Sequence, residues 1–315
     1  MSKPLTEKQK ERLYRLEPKL DKAIRNQNYQ LAKELVSDIQ SVLRPTGHFN
    51  RLCNSKNKLF ELSIELEDFD FAVNGLSSNK SVLSPKTRTY LETISLLAIC
   101  YVRMLEIEKA KPYIKEVLSN QNIIKSQRTR EVFRSEIINR FNEEISLASL
   151  KTLNPIFDND ELEKEAVRII QNLTEDEIYS SIGAAAPKST KELIHMVYEF
   201  STKQLTTTER LALPSPEQKT KDKEVGLTVY QSIKRVLYNS FCSPDSDIYK
   251  AWYTNGISVF LSKGYITTAV TGCLVNLGIG LNFIAASMIA LITKFGIEVF
   301  CEKHKPSTLM DIRSK

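Results

Sequence analysis

No charged side chain occurs between Lys263 and Lys294. The intervening segment, Gly264 to Thr293, reads GYITTAVTGCLVNLGIGLNFIAASMIALIT. A run of this kind either forms the centre of a helical core or enters a bilayer. A membrane-crossing helix needs about 20 apolar residues, and the run exceeds that. Its middle, however, reads Asn276-Leu277-Gly278-Ile279-Gly280-Leu281-Asn282. The glycines Gly278 and Gly280 and the amides Asn276 and Asn282 predict a turn joining two apolar helices. The first arm, Tyr265 to Val275, is too short to span alone. The second reaches spanning length only by carrying Lys294 and Glu298 to depth, which is costly. Ala269, Gly272, Ala285, Ala286, Ser287 and Ala290 permit close helix contacts in either setting. A buried helical pair is the favoured reading. The alternative is a membrane-associated or membrane-disrupting segment, anchored or exposed on triggering.

Outside this run, glycine is scarce. The 315 residues hold 10 glycines and 11 prolines, and Gly256, Gly264, Gly272, Gly278, Gly280 and Gly296 all fall in the last sixty residues. The preceding part therefore consists of uninterrupted elements, and helices suit it best. With 42% hydrophobic and 26% charged residues, the chain buries a sizeable core and is not disordered. No regularly alternating region suggests strands, so the expected class is all-α.

Three segments of the first half share a local pattern: Asn28 to Val36, Asp68 to Leu76 and Glu106 to Ile114. Each has an alanine followed four residues later by an aliphatic residue, which places both on one helix face. A small residue admits a neighbouring helix while the residue one turn on fills the groove. In the third segment Ile94, Leu97, Ala98 and Tyr101 precede Ala110, Ile114 and Val117 at the offsets of a tetratricopeptide repeat. Leu16, Leu20, Ala23, Ala32, Val36 and Ile39 make a weaker first unit closed by Pro45. Phe60, Ala72 and Leu76 make a second closed by Pro85. This half resembles the tetratricopeptide-like superfamily, over about residues 8 to 150, with alanines 40 and 38 residues apart in place of a regular 34. The resemblance implies stacked helix pairs and a groove for a peptide or protein partner, and brings no catalytic residue. Tyr90, Glu92 and Arg103 are the polar residues of the third unit expected to face that groove.

From Asn154 the pattern changes. Asp158-Asn159-Asp160 opens a helix whose apolar face is Leu162, Ala166, Ile169, Ile170 and Leu173. Gly183 to Pro187 reads as a break, Lys191 to Gln204 as a helix, and Thr206 to Lys223 as a loop or linker. Helices are then expected over Val225 to Phe241, Ile248 to Leu261 and Phe283 to Cys301. The division is thus 1–153 as a repeat region, 154–223 as a connector, and 224–315 as a C-terminal helical domain.

Little in the chain points to chemistry. His48, His195 and His304 are far apart, and none has a second ligand at metal spacing. Asp158 to Glu161 lacks the glycine and distal glutamate of a calcium loop, so helix capping explains it better. Gly278-Ile279-Gly280 lacks the lysine and preceding strand of a phosphate cradle. An enzyme would need a pocket around His195 or an acidic pair such as Glu143 and Glu144. No catalytic residue, cofactor or metal is assigned. The net charge of +6 is modest, and the basic start from Lys3 to Arg25 reads as a solvated helix face, which makes nucleic acid a disfavoured partner. Cys53, Cys100, Cys242, Cys273 and Cys301 are expected to be reduced core residues, and with no secretory h-region at the start the expected location is the cytoplasm.

The sequence therefore predicts a tetratricopeptide-like α-solenoid followed by a C-terminal bundle with an apolar helical hairpin turning at Asn276, Gly278, Gly280 and Asn282. The expected function is a non-enzymatic scaffold or adaptor with a protein or peptide partner in the groove, self-association through the C-terminal domain, and a setting such as prokaryotic defence. Membrane association through residues 264–293 is the competing expectation.

Overall fold

The computed structural model describes residues 2–151, 155–203, 221–243, 246–255, 264–303 and 308–314. All regular structure among these residues is helical. The chain forms two compact units, one of residues 1–138 with 308–315, the other of residues 139–307.

The first unit contains α1 (Glu7–Arg25), α2 (Tyr29–Leu43), α3 (Phe49–Glu65), α4 (Phe69–Val82), α5 (Arg88–Arg103) and α6 (Ile107–Ser119), followed by the start of α7 (Gln127–Ser149). Each of α1 to α5 packs on its successor, and α3 also touches α1 and α5. One turn recurs in this unit. Gln27, Glu67 and Leu105 all adopt left-handed backbone, at φ 52°, 61° and 63°. The next amide in each case reaches back to the carbonyl of the helix it leaves: Asn28 to Ala23 at 2.9 Å, Asp68 to Ser63 at 2.8 Å and Glu106 to Tyr101 at 2.9 Å. This is a Schellman closure, and the residue that makes it is also the N-cap of the following helix. Five positions beyond each left-handed residue lies a fully buried alanine, Ala32, Ala72 or Ala110. The shared pattern thus corresponds to three helix pairs with one turn geometry.

In the second unit, α8 (Asn159–Asn172) begins where Asp158 Oδ1 accepts the amides of Asp160 and Glu161, which is N-capping. Next come α9 (Glu175–Ala185), α10 (Lys188–Thr202), α11 (Asp222–Cys242), α12 (Asp247–Asn255), α13 (Tyr265–Asn276), α14 (Asn282–Phe295) and α15 (Ile297–Lys303). The break expected over Gly183 to Pro187 narrows to Ala186-Pro187, because α9 continues through Gly183. Gly183 instead permits close approach. A Cβ there would meet the Asp222 carbonyl oxygen at 1.7 Å, and one on Gly226 would meet that of Tyr179 at 1.7 Å. The expected helix from Phe283 to Cys301 is two helices, because Gly296 at φ 80° divides it. Residues 206–220 of the expected loop, Gly256, the end of the helix expected over Ile248 to Leu261, and His304 lie outside the described residues.

The uncharged run supplies much of the core here. Nine consecutive residues of α14, Ile284 to Ile292, are buried, packed with Ile266, Val270 and Leu274 of α13 and Ile178, Val229 and Phe241 of other helices. Helix α13 closes on Gly278 at φ 72°, with the Ile279 amide on the Leu274 carbonyl at 2.8 Å and both side chains fully buried. Asn276 ends α13 and Asn282 begins α14, both exposed to solvent, while Gly280 lies between them. No described helix is long and apolar enough to cross a membrane.

Cysteine pairing departs from expectation. Cys242 and Cys301, 59 residues apart, form a disulfide with Cα atoms 5.4 Å apart, whereas Cys53, Cys100 and Cys273 are buried free thiols. Apolar flanking residues are shared by both groups, so only the packing of α11 against α15 distinguishes them. Burial pushes the Cys53 thiol up to about 11 and the Cys100 thiol up to about 12. At pH 8 their thiolate fractions fall by about 100-fold or more relative to a solvated thiol. Intact-mass analysis after alkylation should show almost no modification of the native protein, three adducts after denaturation, and five after denaturation with reduction.

Further stability outcomes follow from the backbone. Gly226→Ala should destabilise by about 2 kcal/mol or more, because the clash is with backbone rather than a movable side chain. Leu105→Gly should stabilise by roughly 0.5–1 kcal/mol by relieving left-handed strain on a half-exposed leucine. Urea melts of the two variants would check the opposite signs.

Candidate peptide-binding site

Helices α3 and α5 carry polar side chains into the interior of the first unit. Asn57, four residues before Glu61 on α3, is fully buried, as is Thr93 on α5, and Asn79 of α4 is nearly so. The Asn57 Nδ2 donates to Thr93 Oγ1 at 3.0 Å, and Asn79 Nδ2 donates to Asn57 Oδ1 at 3.0 Å. Thr93 Oγ1 also lies 2.8 Å from the Thr89 carbonyl, to which it donates. This network fixes the facing surfaces of α3, α4 and α5, because each buried amide or hydroxyl left without a partner costs about 1–3 kcal/mol.

Two carboxylates stand beside this network, Glu61 one turn beyond Asn57 on α3 at 4% exposure and Glu92 next to Thr93 on α5 at 1%. Charge this deeply buried demands partners, and a short segment from the far end of the chain supplies them. A 3-10 turn, Met310–Ser314, packs on α3. Glu61 accepts the backbone amides of Leu309 at 2.5 Å and Met310 at 3.0 Å, one on each carboxylate oxygen. Arg313 Nε donates to Glu92 Oε1 at 2.8 Å and Oε2 at 3.0 Å, and its Nη2 donates to Glu92 Oε2 and, at 2.9 Å, to Thr89 Oγ1. Glu92 is also held from its own helix by Arg88 Nε at 2.9 Å. Leu309 and Met310 are buried. Within the segment, the Asp311 amide donates to Thr308 Oγ1 at 3.2 Å and the Thr308 amide to Asp311 Oδ2 at 3.3 Å, a reciprocal cap on the turn.

The three groove residues expected from sequence have different situations. Glu92 meets Arg313. Tyr90 is buried with its hydroxyl donating to Glu116 at 2.7 Å, so it fastens α5 to α6, and burial together with that carboxylate raises its pKa. Arg103 donates to the Ile64 carbonyl at 3.0 Å and to Glu65 at 3.0 Å, closing the C-terminal end of α3. Sequence reasoning passed over Glu61 and the segment Thr308 to Arg313. The available signal was a glutamate inside the apolar run Leu59-Phe60-Glu61-Leu62, where a buried helix face has no ordinary place for a charge.

The remaining candidates for chemistry do not converge. Glu143 pairs with Arg235 at 3.3 Å and Glu144 with Arg140 at 2.8 Å, so these neighbours face separate partners. His195 lies 4.0 Å from Glu199, and His48 Nε2 is 3.0 Å from the Lys3 carbonyl. No group of metal-ligating side chains gathers among the described residues. On α1, Lys10, Glu11, Tyr14 and Arg15 line a shallow depression on one helix face. Lys10 pairs there with Glu7, and Arg12 with Asp38 of α2. Comparison with protein-family models, curated proteins and solved structures returned no match.

Asn57→Ala should destabilise the protein by about 2–3 kcal/mol, since it strips partners from both Asn79 and Thr93 in a dry interior. A fall in the urea midpoint at constant slope is the expected signature.

Proposed function

We propose that the chain is a non-enzymatic interaction protein, an adaptor whose first unit is a degenerate tetratricopeptide-like solenoid that holds a short peptide segment. The observation that carries this reading is the pair of buried carboxylates on α3 and α5, which bind main-chain amides and an arginine of a short segment ending in a 3-10 turn. The recurrent left-handed turn and the buried alanine after it support the repeat reading. So does the contact of α3 with both α1 and α5, because stacked pairs place their first helices side by side along a groove.

The apolar run Gly264 to Thr293 serves, in this reading, as the core of a companion helical unit. Helix α14 has 14 residues and its central stretch is enclosed by other helices, which supports a core in preference to a membrane-acting hairpin.

Random-peptide display on the full-length protein tests the proposal. Enriched peptides that bind the Arg313→Asp variant and lose about 10-fold or more in affinity when Glu61→Gln or Glu92→Gln is added to it are the expected result. The loss corresponds to a charge-assisted hydrogen bond of about 1.5–3 kcal/mol. Enrichment that ignores both substitutions, or no enrichment from any library, would refute it.

A further inference from the structure

Resting on the adaptor reading, we propose that the Glu61–Glu92 groove recognises a partner-protein segment of two adjacent apolar residues followed by arginine three positions later, and that Leu309-Met310-x-x-Arg313 is its competing occupant in cis. Three features of the seated segment define the class. Glu61 accepts two successive backbone amides, a contact that any non-proline pair can make and that orients the chain. Leu309 and Met310 are buried, so apolar side chains at those positions add burial energy. Arg313 forms a forked pair with Glu92 and reaches Thr89, and a planar guanidinium satisfies this geometry where a lysine ammonium cannot.

The spacing is part of the code. In a 3-10 turn, residues three apart are eclipsed, so Arg313 projects on the same side as Met310. The mutual Thr308 and Asp311 hydrogen bonds cap that turn. The tail therefore presents its ligand set at low ordering cost. Glu61 and Glu92 lie on separate helices, 31 positions apart in sequence, and both point at one short segment. A purely structural tail has no need of two nearly inaccessible carboxylates aimed at amides and a guanidinium. A reader of peptides does.

Tethering makes the tail a strong competitor. A covalently linked segment sees its site at an effective concentration of about 1 mM. If it binds in trans at roughly 10–100 μM, the same peptide meets the wild-type chain with affinity reduced by about 10–100-fold. A partner gains access by outcompeting the tail, which makes the tail a selectivity threshold.

The test uses full-length protein and the acetylated, amidated peptide TLMDIRS, residues 308–314, followed by fluorescence anisotropy. Arg313→Asp vacates the groove, and the peptide should bind this variant at least about 10-fold more tightly than it binds wild type. Adding Glu92→Gln to Arg313→Asp should abolish the gain, and so should alanine in place of the peptide's arginine. Arg313→Ala serves as a second release variant, with circular dichroism showing that helix content is retained. Equal affinity for wild type and both release variants would overturn the inference. So would peptide binding indifferent to Glu92→Gln. Concentration-dependent dimerisation of wild type that Arg313→Asp eliminates would also overturn it, by assigning the groove to the tail of a second copy. If library-selected peptides still depend on Glu61 and Glu92 while TLMDIRS fails on the release variants, the tail assignment falls and the adaptor reading stands. Failure of both peptide classes overturns both.

Discussion

A residue in left-handed backbone at the end of each first helix organises the first unit. Gln27, Glu67 and Leu105 reverse the chain within one residue, and the amide that follows closes the helix behind while its residue opens the helix ahead. That closure is the same three times, and in each second helix the alanine five positions on, Ala32, Ala72 or Ala110, is fully buried. Helices α1, α3 and α5 then fall side by side. Without that regularity, the Asn57, Asn79 and Thr93 network would not close, and Glu61 and Glu92 would not face one segment. None of the three turn residues is glycine, so the geometry is held at some cost in strain, and the packing of the pairs must exceed it.

The buried carboxylates are the second constraint. A carboxylate at Glu92's depth is tolerable only with charged donors, and it has two, Arg88 from one turn away on the same helix and Arg313 from the end of the chain. The local pair keeps the charge compensated when the distal one leaves, which suits the exchange of occupants proposed for this groove. Glu61 accepts two amides of the same distal segment, those of Leu309 and Met310. The second unit follows another rule. Much of its core comes from an uncharged run that lies mostly in α13 and α14, and close helix contact comes from Gly183 and Gly226, where backbone meets backbone.

The all-helical class was legible because helical periodicity and scarce interior glycine are local properties. The alanine spacing identified the pairs for the same reason, and Asp158 read correctly as a cap because capping needs only three neighbouring residues. Three things were not legible. Gly183 looks like a helix breaker in sequence, and only the neighbour at Asp222 reveals that its missing Cβ is the point. Cys242 and Cys301 share their apolar surroundings with the three free cysteines, and a pairing across 59 residues has no local trace. The carboxylate site was half visible: Glu92 sits on a helix face that periodicity can place, but its partner Arg313 is 221 residues away. Tyr90 and Arg103 occupy comparable positions, and their hydrogen bonds hold helices together. Periodicity assigns a side chain to a face. It does not say whether a donor waits there.

The most direct test of the central claim, that a buried carboxylate on α3 holds the backbone of the distal segment, is amide hydrogen exchange at Leu309 and Met310 in the full-length protein. Both amides should be strongly protected in wild type, and Glu61→Ala should return them towards the rate of an unstructured peptide while α3 itself stays protected. Exchange of these amides at the free-peptide rate in wild type, or protection unaffected by Glu61→Ala, would contradict the account.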